Sequence, residues 1–188
     1  MDISGARALI TGGSEGIGFG IAAALAAKGA KVAIMGRDQN KLVAAVEKLG
    51  VKGIQGDVSV EEDAQAAVSQ FVAEFGGIDI LVNNAGFGYF APLVDIKREE
   101  FEAVFATNVT GAMMMGREVA RHFVKQESGA LINISSTSGL SGGQTSSAYA
   151  GSKFALRGMT ECWRAELRPY NVRVMLVNPS EVQTGFFG

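Results

Sequence analysis

Six short apolar runs, each followed by a stretch of different periodicity, constrain this chain more than any other feature. Ala6 to Thr11, Lys31 to Gly36, Val51 to Gly56, Ile78 to Val82, Gly129 to Ile134 and Val172 to Val177 read as strands. Between them the apolar residues recur at helical spacing. Leu42, Ala45, Val46 and Leu49 share one face, Ala64, Ala67, Val68, Phe71, Val72 and Phe75 another, and Phe101, Val104 and Phe105 a third. Strands alternating with helices imply an α/β fold, a doubly wound and mainly parallel sheet with right-handed crossovers and helices on both faces. Ligands of such sheets sit at the carboxyl ends of the strands. The glycine loop at 12–18, Asp57, Asn83, Ser136 and Pro179 all follow strands and therefore share that edge. A chain of 188 residues, 47% apolar and 19% charged, suits one domain over 1–188 with a real core.

The first crossover carries a specific signal. After the first strand, Gly12-Gly13-Ser14-Glu15-Gly16-Ile17-Gly18 turns the chain tightly into an apolar helix that reaches Lys28. Glycines let backbone pass close to a phosphate, and a helix N-terminus offers free N–H groups and a partial positive charge. The same loop could be a structural turn only. Dinucleotide folds place an acid about 20 residues after the glycines for a ribose 2′-hydroxyl, or an Arg for a 2′-phosphate. Gly36-Arg37 stands at this point, and Asp38 is better explained as a helix cap, so NADP is expected, with NAD as the alternative. Glu15 argues the other way, because a carboxylate inside the loop repels a 2′-phosphate if it points there.

Tyr149-Ala150-Gly151-Ser152-Lys153 supplies a phenol and an amine one helical turn apart on a single face. A neighbouring ammonium lowers a phenol's pKa, so the pair has the makings of a proton-transfer device; the plain alternative is solvated helix surface. Asn83-Asn84-Ala85-Gly86 closes the fourth strand and could be no more than a turn, while Asn108 lies on an apolar helix stripe and needs a partner. Met113 to Met115 are read as packing surface, against the helix's own core or another subunit. His122, the only histidine, is read as surface, and Cys162, the only cysteine, as a core thiol. One cysteine excludes an internal disulfide and fits a reducing compartment. A net charge of −2 leaves no basic footprint for nucleic acid, and neither a signal peptide nor a membrane-spanning run is legible, so a cytoplasmic protein off the membrane is expected.

Taken together, Thr11-Gly12-x3-Gly16-Ile17-Gly18, Asn83-Asn84-Ala85-Gly86, Asn108, Ser136 and Tyr149-x3-Lys153, in this order and with Ser136 thirteen residues before Tyr149, resemble the short-chain dehydrogenase/reductase family. The resemblance implies a Rossmann-type domain and NAD(P)-linked oxidation of alcohols or reduction of carbonyls, with no metal. It assigns Tyr149 as proton donor and acceptor, Lys153 as the group that depresses the Tyr149 pKa and holds the nicotinamide ribose, Ser136 as hydrogen-bond donor to the substrate oxygen and Asn108 as holder of a relay water. Cofactor contacts would come from Gly12, Ser14, Glu15, Gly16, Ile17, Gly18, Arg37, Asp57 (adenine), Val58, Asn84, Ala85, Gly86, Pro179 and Thr184 (carboxamide), with Asn83 on the cofactor side of the sheet edge.

The overall look is closest to 3-oxoacyl-(acyl carrier protein) reductases of fatty acid biosynthesis, which implies an acyl-thioester or other small-molecule substrate. Arg121, Lys125 or Arg168 are then candidates to meet an acidic carrier protein. Family members pair through helices corresponding to 98–126 and 146–170, so a homodimer or homotetramer is expected. Two departures stand out. Ser180 occupies a position where the family has glycine, and Phe186-Phe187-Gly188 falls where the family continues through a lid, a helix and a seventh strand. The expectation is an exposed sixth-strand edge that, with the two aromatics, favours association. A catalytically silent NAD(P)-binding sensor or scaffold is the alternative function.

Overall fold

The computed structural model describes residues 2–184. Six strands, β1 (Arg7–Thr11), β2 (Lys31–Gly36), β3 (Lys52–Gln55), β4 (Ile80–Asn83), β5 (Gly129–Ile134) and β6 (Val172–Val177), form one sheet in the order β3-β2-β1-β4-β5-β6. Every pairing is parallel. The order reverses between β1 and β4, and the two loops leaving those strands open a crevice at that point.

Side chains alternate across the sheet and build two cores. Leu9, Met35, Leu81 and Leu131 face α3 (Glu61–Phe75), α5 (Ala112–Gln126) and α6 (Ser147–Leu167), where Phe71, Met115 and Phe123 are wholly buried. Ile10, Ile34, Ile80 and Val82 face α1 (Gly16–Ala27) and α2 (Gln39–Leu49), where Ala22, Leu42 and Ala45 are buried. Asp38 caps α2 as expected, its Oδ1 accepting from Asn40 N at 2.9 Å and Lys41 N at 3.0 Å. Gly50 and Gly76 end α2 and α3 in the left-handed region, at φ +66° and +75°, where glycine carries no Cβ penalty.

β6 lies at the sheet edge, paired only with β5 among the described residues, and Met175 and Val177 on it are exposed. The edge anticipated from the sequence is therefore present; Phe186 and Phe187 lie outside the described residues. Met114 and Met115 are buried in the protomer's own core. Cys162 corrects an expectation. It is exposed, because the inner face of α6 runs through Tyr149, Ser152, Lys153, Leu156 and Thr160, and position 162 turns away from that stripe. His122 is half-buried rather than on the open surface.

The strand starts are tied by one ion pair. Arg7 Nε donates to Asp79 Oδ2 at 2.8 Å and a terminal nitrogen to Oδ1 at 2.7 Å, while the Arg7 backbone N–H also reaches Oδ2 at 2.8 Å. These bonds hold the Asp79 carboxyl below its ordinary value. A depressed folded pKa contributes stability above the unfolded pKa, lost as pH falls through the folded one. Asp79→Asn is expected to lower unfolding free energy by about 2 kcal/mol at neutral pH, with the gap from wild type closing below about pH 4. Urea titrations across pH measure this.

Candidate active site

Thr11, at the end of β1, stitches two of the loops together. Its Oγ1 accepts from the backbone N–H groups of Asn84 and Ala85, each at 3.0 Å, and the Asn84 amide donates to the Thr11 and Gly12 carbonyls, also at 3.0 Å. Gly18 lies beneath this junction. A Cβ there would sit 2.3 Å from the Gly12 carbonyl oxygen and 2.5 Å from Asn84 Nδ2. Gly18 is thus a packing glycine of the loop rather than a wall of the cleft, a correction to its reading as a cofactor contact. Gly16, at φ +58°, does line the cleft, and a Cβ on it would approach only the Thr184 side chain, at 3.5 Å.

Above the junction runs a cleft of about 410 Å³ at the carboxyl ends of the strands. Gly12, Ser14, Glu15, Gly16 and Ile17 line one end, with Arg37, Asp57 and Val58 beside them. Asn84, Ala85 and Gly86 form the middle, and Ser136, Tyr149, Lys153, Pro179 and Thr184 the other end. The cleft fits a nicotinamide dinucleotide. It is long and glycine-walled, and α1 opens with no side-chain cap, which leaves first-turn N–H groups for an anion. Among the described residues no group of three metal-ligating side chains occurs, and no helix is long and apolar enough to cross a membrane.

Two predicted residues stand behind the lining of the cleft. Asn83 points into the core, its amide donating to Ala112 O and Asn133 Oδ1 at 3.0 Å each; strand alternation turns it away from the cleft that Asn84 faces. Asn108 sits in a π-helical turn (Ala106–Gly111) between α4 (Arg98–Phe105) and α5. Its Oδ1 accepts from Phe87 N and its Nδ2 donates to Phe87 O and Ser152 Oγ, all at 3.0 Å. With both amide hydrogens committed, the side chain fixes the Gly86–Phe87 segment. Sequence reasoning missed Lys41, which lines the cleft from the first turn of α2 and bonds Glu15 Oε2 at 2.9 Å. Its place three residues after the Asp38 cap, at the cleft edge, was the available signal.

At the far end, Tyr149 and Lys153 project from α6 as the spacing required. Both are buried, at 8% and 5% exposure, which excludes the reading of the pair as solvated surface. Lys153 Nζ donates to Ile134 O at 2.9 Å and stands 5.6 Å from the Tyr149 ring centroid. Burial alone pushes the Lys153 amine down to about 8. Burial raises the Tyr149 phenol above its ordinary value, and a hydrogen bond with Ser136 offsets part of that rise. The net direction is therefore the reverse of the expected depression, because desolvation outweighs the hydrogen bond with Ser136. Ser136 Oγ also accepts from Ser138 N at 3.1 Å, which fixes its rotamer. Phe90 completes this end, its ring 5.7 Å from that of Tyr149.

A family model described as short chain dehydrogenase matches residues 6–188. Glucose 1-dehydrogenase of Gluconobacter oxydans is 37% identical over 188 residues, covering 96% of this chain and 71% of that protein. The 3-oxoacyl-(acyl carrier protein) reductase of Chlamydia muridarum is 36% identical over 183 residues, covering 94% of this chain and 74% of that one. Among solved structures, a 3-ketoacyl-(acyl-carrier-protein) reductase from Brucella melitensis complexed with NADH superposes with a TM-score of 0.95 at 31% identity, covering 98% of this chain and 78% of that one. The chain spans 66% to 74% of the length of such curated relatives.

Proposed function

The chain belongs to the short-chain dehydrogenase family, and on that premise we propose that it is an NADP(H)-dependent reductase of a carbonyl group, with an acyl-chain substrate such as a 3-oxoacyl thioester. The observation that carries this reading is the convergence of Ser136, Tyr149 and Lys153 on one end of a glycine-walled cleft. The bound nicotinamide supplies the hydride. A phenol held above its ordinary pKa is protonated at neutral pH, so Tyr149 is poised as the acid that gives its proton to the substrate oxygen. The Ser136 hydroxyl, oriented by Ser138, donates to the same oxygen and stabilises its growing charge. Lys153 places a cation behind the phenol, where it favours the tyrosinate left after transfer. Asn108 is a positioning residue, holding Gly86 and Phe87 against the middle of the cleft.

Phe90 beside Tyr149 gives the reacting position an apolar flank, which favours an acyl chain over a polyol. Lys125 and Arg168 are the better candidates to meet an acyl carrier protein, since Arg121 is paired with Glu118. We place self-association on α5 and α6, where Phe154 is exposed, and the whole protein in the cytoplasm.

Arg37 carries the preference for NADP. It is expected to make NADPH the better cofactor with β-ketoacyl thioesters, and Arg37→Ala to weaken NADPH by about tenfold or more while leaving NADH nearly unchanged. Steady-state rates with both cofactors over a panel of ketoacyl thioesters, sugars and quinones test this. Equal losses for the two cofactors would remove Arg37 from the account, and preference for sugars would remove the acyl substrate.

A further inference from the structure

The turn that carries Ser136 is seated on the backbone of α6. Ser136 caps a 3-10 turn over Thr137–Gly139, and the Gly139 N–H donates to the Ser136 carbonyl at 2.9 Å, so the two ends of the turn move together. Gly139 is buried. A Cβ built on it would stand 2.7 Å from Ser135 Oγ, 3.0 Å from the Lys153 carbonyl oxygen and 3.2 Å from the Lys153 carbonyl carbon. The first of these is closer than a Cβ can stand. Gly139 is not among the glycines at positive φ, so the position asks for space and not for backbone freedom.

Ser135 closes the gap from the strand side. Its Oγ donates to the Lys153 carbonyl at 3.3 Å, and the residue is 4% exposed. That carbonyl belongs to the residue whose amine stands 5.6 Å from the Tyr149 ring centroid, and Tyr149 lies one turn earlier on the same helix. Through one buried hydroxyl and direct backbone contact, the seat therefore joins the turn bearing Ser136 to the helix bearing Tyr149 and Lys153. A methyl group added here is absorbed only by a shift of the turn or of the helix.

We propose that Gly139, backed by Ser135, is a positioning residue for proton transfer: the absence of a side chain there sets how closely the Ser136 hydroxyl approaches Tyr149. The inference rests on the roles given above to Ser136 and Tyr149. With α6 running 21 residues from Ser147 to Leu167 and the turn only three, the turn is the part that yields to an added methyl group. Ser136 then retreats from the phenol, while the glycine loop at the other end of the cleft is untouched. Burial raises the Tyr149 phenol and Ser136 opposes that rise, so a retreating Ser136 leaves the phenol higher still. Lys153 is the charged group beside that ring, and it keeps its own partner, the Ile134 carbonyl.

Titration of tyrosinate absorbance in the unliganded chain, taken as the difference from the same protein carrying Tyr149→Phe, reads this phenol without cofactor or substrate. Gly139→Ala is expected to move the Tyr149 transition to higher pH than in wild type. In turnover it is expected to lower kcat by roughly 10- to 100-fold, with the dissociation constant for reduced cofactor changed less than about threefold. Ser135→Ala leaves the seat uncrowded but untied, and is expected to move the transition the same way and to lower kcat by about three- to tenfold; it carries the test where Gly139→Ala does not fold. Combined with Gly139→Ala it removes the 2.7 Å neighbour, so the double variant should turn over faster than Gly139→Ala alone. A Tyr149 transition at the wild-type pH in the folded variants, or a loss of cofactor affinity as large as the loss of kcat, overturns the seat. A transition that moves as expected in a chain that reduces no carbonyl supports the seat and counts against the catalytic reading.

Discussion

Replacing Tyr149 by Phe is expected to lower kcat/KM for carbonyl reduction by roughly 1,000-fold, with the dissociation constant for reduced cofactor changed less than about threefold. The substitution removes one oxygen and keeps the ring, so the contact with Phe90 at 5.7 Å and the buried position on α6 persist. What disappears is the phenolic proton beside Ser136 at this end of the cleft. Ser136 then has no phenol beside it, and the developing alkoxide has a single donor and no proton source. Cofactor binding by fluorescence and steady-state kinetics on the same preparation separate the two effects. Comparable losses in affinity and in turnover would point to a collapsed cleft instead of a lost proton.

Lys153→Met is expected to cost activity by a factor of about 100 to 1,000 and to alter stability in a pH-dependent way that no surface lysine would produce. The Lys153 amine titrates at about 8 in the fold against an ordinary 10.5. A folded pKa lowered by burial means that the unfolded chain binds more protons between these values, so wild-type stability rises with pH across that window. Below about pH 8 both states carry the proton and the full penalty of burying the charge is present, about 3 kcal/mol at about 1.4 kcal/mol per pH unit. Methionine carries no such penalty but leaves the Ile134 carbonyl without its 2.9 Å donor. The clean observable is therefore the difference between the two proteins. Relative to Lys153→Met, wild type should gain about 2 kcal/mol between pH 8 and pH 10, below the range where the raised Tyr149 begins to titrate. Denaturant titrations at several pH values read it, and parallel curves would show that Lys153 is not held at a cost.

Much of this was legible in the chain. Strands β2, β5 and β6 begin and end where the apolar runs do. β4 is displaced, beginning at Ile80, because pairing with β1 starts at Ala8 opposite Ile80 while Ile78 is buried just before the ladder. Tyr149 and Lys153 were placed by helical spacing alone, and the burial of both could not be, because it depends on segments distant in sequence, among them Ile134 at the end of β5 and Phe90. Contacts distant in sequence account for the other misses. Asn108 meets Phe87 across 21 positions and Glu15 meets Lys41 across 26, and neither partner carries a local signal of the other. Asn83 and Asn84 differ only by the alternation of a strand, which sends one amide into the core and leaves the other at the cleft. The direction of the Tyr149 shift was misread because a sequence shows a nearby ammonium and not the desolvation that outweighs it.

The central claim is that Ser136, Tyr149 and Lys153 act as one proton-transfer set beside a bound nicotinamide. Single-turnover mixing of the protein and NADPH with excess ketoacyl thioester tests it most directly, following the loss of reduced-nicotinamide absorbance and the alcohol formed. The account predicts one alcohol per cofactor oxidised in wild type, and a decay slowed by roughly 1,000-fold in Tyr149→Phe at full cofactor occupancy. Tight cofactor binding with no decay for any carbonyl in wild type, or a decay in Tyr149→Phe equal to wild type, would contradict it.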